Sequence, residues 1–172
     1  MKKLSALLAL LLLFTAGSLA EDILYSLTPA DMTAVEGFDP VALYCGPTQG
    51  FYRHEEQVID LAQPFVCFGQ YDCWMMAAQG TSDAFGPVGF IEGGLFSVES
   101  LPELSFEDAF PAMIEEDAPV TNAPLSSDSA WDIFLPRGTQ VTVLAAYGDF
   151  LYVQTEIDGI PARLFVPVDC IM

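Results

Sequence analysis

The stretch Pro64 to Glu92, PFVCFGQYDCWMMAAQGTSDAFGPVGFIE, carries a pattern of apolar and turn residues that returns 76 positions later. Laid over the later stretch without a gap, Phe65, Cys67, Tyr71, Trp74, Met75 and Ala77 fall on Val141, Val143, Tyr147, Phe150, Leu151 and Val153. The turn matches as well, with Gln70-Tyr71-Asp72 on Ala146-Tyr147-Gly148. Farther on, Val88-Gly89-Phe90-Ile91 answers Arg163-Leu164-Phe165-Val166. Trp74 to Phe90 spans 16 positions and Phe150 to Phe165 spans 15, so one residue of loop length separates the copies. A repeated strand-turn-strand-loop-strand unit points to two small β modules in tandem.

Working outward, Lys2-Lys3, the apolar run Leu4 to Phe14 and Ser18-Leu19-Ala20 have the layout of a secretory signal, with cleavage expected after Ala20. The apolar run is shorter than the ~20 residues a spanning helix needs. The expected organisation is a signal peptide over 1–20, a first module with its lead-in over 21–98 and a second module over 99–172, with Gly93-Gly94 at the boundary. The expected address is secreted or extracytoplasmic, at the cell envelope. Strands are expected at Val41–Tyr44, Val58–Leu61, Phe65–Phe68, Cys73–Ala78 and Val88–Ile91, with Gly80–Gly86 as a connecting loop. The second copy reads as strands at Gln140–Leu144, Phe150–Thr155 and Ala162–Pro167, with Asp158-Gly159 as a hairpin turn. Three clusters in the acidic, proline-rich middle, Leu104–Phe106, Ala112–Ile114 and Val120–Thr121, are each short enough to be strands. In the third strand Trp74, Met76 and Ala78 share one face, and Cys73, Met75 and Ala77 the other.

Charge narrows the partners. Removal of Lys2 and Lys3 takes the formal charge from −19 to −21 and leaves Arg53, Arg137 and Arg163 as the fixed cations. That argues against nucleic acid and against anionic lipid, both of which are bound by neutralising phosphates. Cationic groups or divalent ions are the partners that electrostatics favours, and a solvated acidic surface explains the charge without any partner. Four cysteines, Cys45, Cys67, Cys73 and Cys170, allow three full pairings, and buried free thiols acting as small apolar residues are the competing reading. No Cys-x-x-Cys pair is present for zinc or redox chemistry.

Gly138-Thr139-Gln140-Val141-Thr142-Val143-Leu144, Tyr147-Gly148-Asp149-Phe150-Leu151-Tyr152-Val153 and Arg163-Leu164-Phe165-Val166-Pro167 resemble the sequence blocks of bacterial SH3-like domains. The first copy is similar through Tyr71-Asp72-Cys73-Trp74 and Gly89-Phe90-Ile91. The resemblance implies an all-β chain of two tandem small SH3-like β-barrels; they either pack on one another or lie as beads, and packing is favoured because a barrel of about 70 residues hides only ~60% of its unfolded surface. It departs from the family at Phe150, where tryptophan is usual, at Leu164, where glycine is usual, and at Cys73, where a turn glycine is common. It implies a groove for a peptide or a peptidoglycan-type ligand, with Tyr44, Trp74 and Phe90 in copy one and Phe150, Phe165 and Pro167 in copy two. An aromatic at a strand position of so small a barrel is also a core residue by default. Phe51 and Tyr52, in a loop, are the better candidates for exposure.

No catalytic constellation stands out. His54 is the one histidine and sits among Arg53, Glu55 and Glu56. The sequence lacks a Gly-x-Ser-x-Gly elbow, a His-Glu-x-x-His helix and a phosphate-cradling loop. The expectation is a non-catalytic exported binding module needing no cofactor or metal. Two alternatives from other classes remain: a cell-wall hydrolase or accessory subunit using Cys45 or Cys73 with His54, and an acidic calcium-binding surface protein using Glu115-Glu116-Asp117, which lacks EF-hand spacing. Oligomeric state is open.

Overall fold

The computed structural model describes residues 24–93, 101–125 and 131–171. The expected signal peptide and Gly94 lie outside them. The chain is all-β. Copy one supplies β1 (Ala30–Met32), β2 (Val41–Ala42), β3 (Val58–Ile59), β4 (Phe65–Tyr71), β5 (Trp74–Thr81) and β6 (Ala84–Glu92). Copy two supplies β7 (Phe110–Met113), β8 (Ala118–Pro119), β9 (Phe134–Leu135), β10 (Gln140–Tyr147), β11 (Phe150–Ile157) and β12 (Ile160–Pro167), followed by a 3-10 turn over Val168–Cys170.

The 76-residue offset is visible in the hydrogen-bonded register. Tyr71 pairs with Trp74 across the first hairpin, and Tyr147 with Phe150 across its counterpart. A β-bulge between Cys67 and Gly69 returns between Val143 and Ala145. The two-residue turns also correspond, since Asp72 and Gly148 both sit at φ 54. That left-handed conformation is open to glycine and tolerated by aspartate, which is why these two residue types occupy equivalent places. Asp158 and Gly159 take φ 53 and 78 and close the β11–β12 hairpin as their sequence predicts.

Several expectations need correction. Gly80–Gly86 is not a loop: a bulge between Ala78 and Gly80 carries β5 on to Thr81, and Ser82-Asp83 turns directly into β6. Cys73 lies in the turn rather than in β5, and Leu104–Phe106 makes no strand beyond a bridge at the adjacent Glu103. Among the described residues neither copy forms a closed barrel. Each forms a four-stranded sheet, β1-β4-β5-β6 or β7-β10-β11-β12, beside a separate two-residue ribbon, β2-β3 or β8-β9. The ribbons are too short to complete a ring, and a single bridge, Tyr44 to Phe90 or Thr121 to Phe165, ties each to its sheet.

The copies are exchanged rather than beaded. Ser26 of the first lead-in bridges Ala146 in β10, and Glu103 of the second lead-in bridges Gln70 in β4, both in parallel. The bonds are equivalent: the Leu27 amide donates to Ala146 O at 2.9 Å and the Leu104 amide to Gln70 O at 2.7 Å. A second exchange follows the ribbons, where the Arg163 amide donates to Cys45 O at 2.6 Å and the Val88 amide to Asn122 O at 2.6 Å. Each copy therefore completes backbone bonding that the other leaves open.

Three apolar layers result. The central one joins Val66, Phe68, Trp74, Met76, Ala78 and Phe90 of copy one to Leu144, Tyr152 and Phe165 of copy two, with Leu27 and Leu104 from the exchanged lead-ins. The outer layers lie on the far faces: Met75, Ala77 and Leu43 in copy one, Leu151, Val153 and Leu164 in copy two. The face alternation read along β5 is therefore correct for Trp74, Met76 and Ala78 against Met75 and Ala77. Each large side chain buried in the central layer contributes roughly 1.5–3 kcal/mol relative to exposure.

The outer layers divide their volume differently. A Cβ on Gly89 would stand 2.6 Å from the Leu43 side chain and 2.7 Å from Tyr44 O. Its counterpart is Leu164, buried in the outer layer of copy two beside the smaller Val120. Gly89→Ala is expected to cost about 1–3 kcal/mol through this overlap, measured by urea unfolding. Cleavage at a protease site introduced between residues 94 and 100 should leave both fragments co-eluting in gel filtration, and separation into two folded halves would contradict the exchange.

Candidate functional site

The repeat puts Arg163 on the position of Val88 and Gln154 on that of Ala78. Val88 and Ala78 are register partners in β6 and β5, and Arg163 and Gln154 are register partners in β12 and β11. An apolar pair in the first copy is thus a polar pair in the second. Arg163 Nε donates to Gln154 Oε1 at 3.0 Å.

The guanidinium is enclosed by rings. Its carbon lies 5.1 Å from the centre of the Tyr71 ring, 5.3 Å from Phe106 and 5.6 Å from Phe51. Arg163 is 9% exposed, and its Nη1 is buried without a hydrogen-bond acceptor. Cation–π attraction from three rings stabilises the charge in part, by about 0.5–2 kcal/mol for each well-placed ring. Among the described residues no carboxylate lies within 4.0 Å of it, although the chain carries 24 acids.

Tyr71 and Phe106 also line an open concavity of about 450 Å³, together with Glu103, Leu104, Ser105 and Glu107. The exchange creates it: Tyr71 is at the hairpin tip of copy one, and residues 103–107 follow the lead-in of copy two. Phe106 is held between Tyr25, 6.2 Å away, and Tyr152, 6.3 Å away.

The candidate residues named from sequence divide into groups. Tyr44 meets Trp74 edge-on at 5.8 Å, and Arg53 lies over the Tyr44 ring at 5.9 Å. Trp74 is buried in the central layer, as are Phe90 and Phe165. Phe51 is half-buried, fills the space above Gly46 and joins the Arg163 enclosure. Tyr52 faces the other side, 5.8 Å from Trp131, while His54 stacks on Trp131 at 4.0 Å and 12°. Phe150 and Pro167 are register partners on the half-buried edge of the second sheet. Sequence reasoning did not name Arg163, Gln154, Tyr71 or Phe106 as site residues. The signal for the first two was a charged and an amide residue at positions the repeat assigns to the core.

Cys45 is buried in the outer layer of copy two, and burial pushes its thiol from 9.0 up to about 12. A nucleophile needs the opposite shift. His54 points its imidazole along Trp131, with Nε2 4.0 Å from Glu55. All four cysteines are free, with Cys45, Cys67 and Cys170 buried and Cys73 exposed. Among the described residues no three His, Cys, Asp or Glu side chains converge as metal ligands, Glu115, Glu116 and Asp117 included. Comparison with family models, with curated proteins and with solved structures finds no match to the chain.

Burial also raises the Cys67 thiol from 9.0 to about 11 and the Tyr152 hydroxyl above its ordinary 10.0. Between pH 9.0 and about 12 the unfolded chain therefore releases protons that the native protein retains, Cys67 until about 11 and Cys45 until about 12. Stability is full below that window and falls as pH rises through it. Cys67→Ala combined with Cys45→Ala should flatten the decline in denaturant midpoints across this range. In the native protein a maleimide should label Cys73 readily and reach Cys45 and Cys67 only on unfolding.

Proposed function

We propose that the protein is an exported, non-catalytic binding module: two fused SH3-like units that hold a peptide, or a peptide-bearing cell-wall component, in the concavity between their copies. The observation that carries this reading is the aromatic wall of Tyr71 and Phe106 at the junction, backed by Phe51. The concavity sets these rings beside polar groups, Glu103, Ser105 and Glu107, of the kind that fix a ligand's orientation. Glu103 and Glu107 on the rim are exposed and suit a ligand with an amine along its length. The acidity of the chain, formally −19, favours the same ligand chemistry and disfavours polyanions.

Sedimentation with isolated bacterial cell wall, at low and high salt, tests the proposal. Wild-type protein should pellet with the wall. Tyr71 is 36% exposed, so Tyr71→Ala should remain folded by circular dichroism and bind at least ~10-fold more weakly. Trp74→Ala is a poor probe, because emptying a buried aromatic site costs about 3–5 kcal/mol of stability. Undiminished binding by folded Tyr71→Ala would remove the concavity as the site.

A further inference from the structure

We infer that Arg163 is a carboxylate-binding residue, and that the group it takes is the free carboxylate of a peptide held in the concavity beside Tyr71 and Phe106. The inference rests on the binding-module reading and adds to it the chemistry of one ligand group.

The first copy shows that the fold does not require a cation at this position. Val88 and Ala78 fill the equivalent place in β6 and β5 with apolar atoms, at no desolvation cost. Copy two replaces them with a guanidinium that is 9% exposed and an amide that satisfies one of its nitrogens. Burying a charge without a counter-charge is destabilising, so packing alone gives no reason for the replacement. Nη1 remains without an acceptor. Glu103 and Glu107 line the adjoining concavity, yet neither approaches the guanidinium within 4.0 Å. The positive charge is thus reserved from the protein's own carboxylates.

The enclosure points to a small planar anion. Arginine presents its donors as a rigid fork that matches a carboxylate, and the bonds formed are charge-assisted. One guanidinium balances one negative charge, and a chain of formal charge −19 repels a dianion such as phosphate more strongly. Tyr71 and Phe106 both face Arg163 and touch each other, their ring centres 5.8 Å apart, so the carboxylate reaches the guanidinium by displacing the exposed Tyr71 ring at its hairpin tip. The acidic rim then receives an ammonium group farther along the same ligand.

Arginine side-chain NMR reads this directly, because the chain holds only Arg53, Arg137 and Arg163. The mature protein is titrated with the dipeptide lysyl-alanine, with its C-terminal amide and with inorganic phosphate. The free acid should shift the Arg163 resonances saturably, and the amide should bind about 10- to 100-fold more weakly, the loss of one charge-assisted contact. Arg163→Lys should narrow that difference. Equal binding of acid and amide overturns the carboxylate subsite and leaves a peptide-binding module standing. Phosphate binding as tightly as the acid also overturns it, in favour of a general anion site. Silence of Arg163 toward the dipeptides, in a protein that pellets with cell wall, removes the subsite alone. Silence together with no wall binding removes both readings.

Discussion

Everything in this molecule depends on the reciprocal pairing of the two lead-ins, Ser26 on Ala146 and Glu103 on Gln70. Each lead-in adds to the other copy's central hairpin, covers an edge that would otherwise be open, and drops one leucine, Leu27 or Leu104, into the shared core. A unit of about 70 residues hides only ~60% of the surface of its unfolded chain, and two-residue ribbons add little. The exchange supplies what each copy lacks. It also fixes where a site can form, because segments from two copies meet at the hairpin tips.

Approximate two-fold symmetry makes the departures informative. Positions 54 and 131 are separated by 77 residues, the offset that also relates Tyr44 to Thr121, so the stack of His54 on Trp131 joins equivalent places across the pseudo-axis. The swap of Gly89 and Leu43 for Leu164 and Val120 keeps both positions apolar and needs no functional account. The swap of Val88 and Ala78 for Arg163 and Gln154 conserves neither polarity nor charge. Packing explains the first departure and leaves the second unexplained, which is why the second carries the functional argument.

The hairpins were legible in the sequence because turn chemistry and side-chain alternation are local. Asp72, Gly148 and Asp158-Gly159 announce their turns, and the two faces of β5 follow from a period of two. The strand limits were less legible, since the bulge at Ala78 and Gly80 turns an apparent loop into a hairpin. The exchange was not legible at all. Ser26 and Glu103 are polar, unremarkable residues whose partners lie far along the chain, and only backbone groups make the pairing. The site was hidden for the same reason: Phe106 reaches Tyr71 through a contact that no spacing rule encodes, whereas Arg163 was marked as an anomaly once the copies were superposed.

Fusing the two copies is what permits such an asymmetric site. A symmetric dimer of identical units would carry either an arginine or a valine at both equivalent positions. With arginine at both, the central layer would bury two unneutralised guanidinium groups, and each penalty would fall on the core that holds the dimer together. With valine at both, the layer would be apolar and the junction would have no fixed positive group. A single chain escapes the choice: Val88 and Ala78 keep one half of the layer dry and well packed, and that half supports the cost of Arg163 and Gln154 in the other. The apolar copy therefore acts as the scaffold for the polar one, and the concavity at Tyr71 and Phe106 opens beside that buried charge.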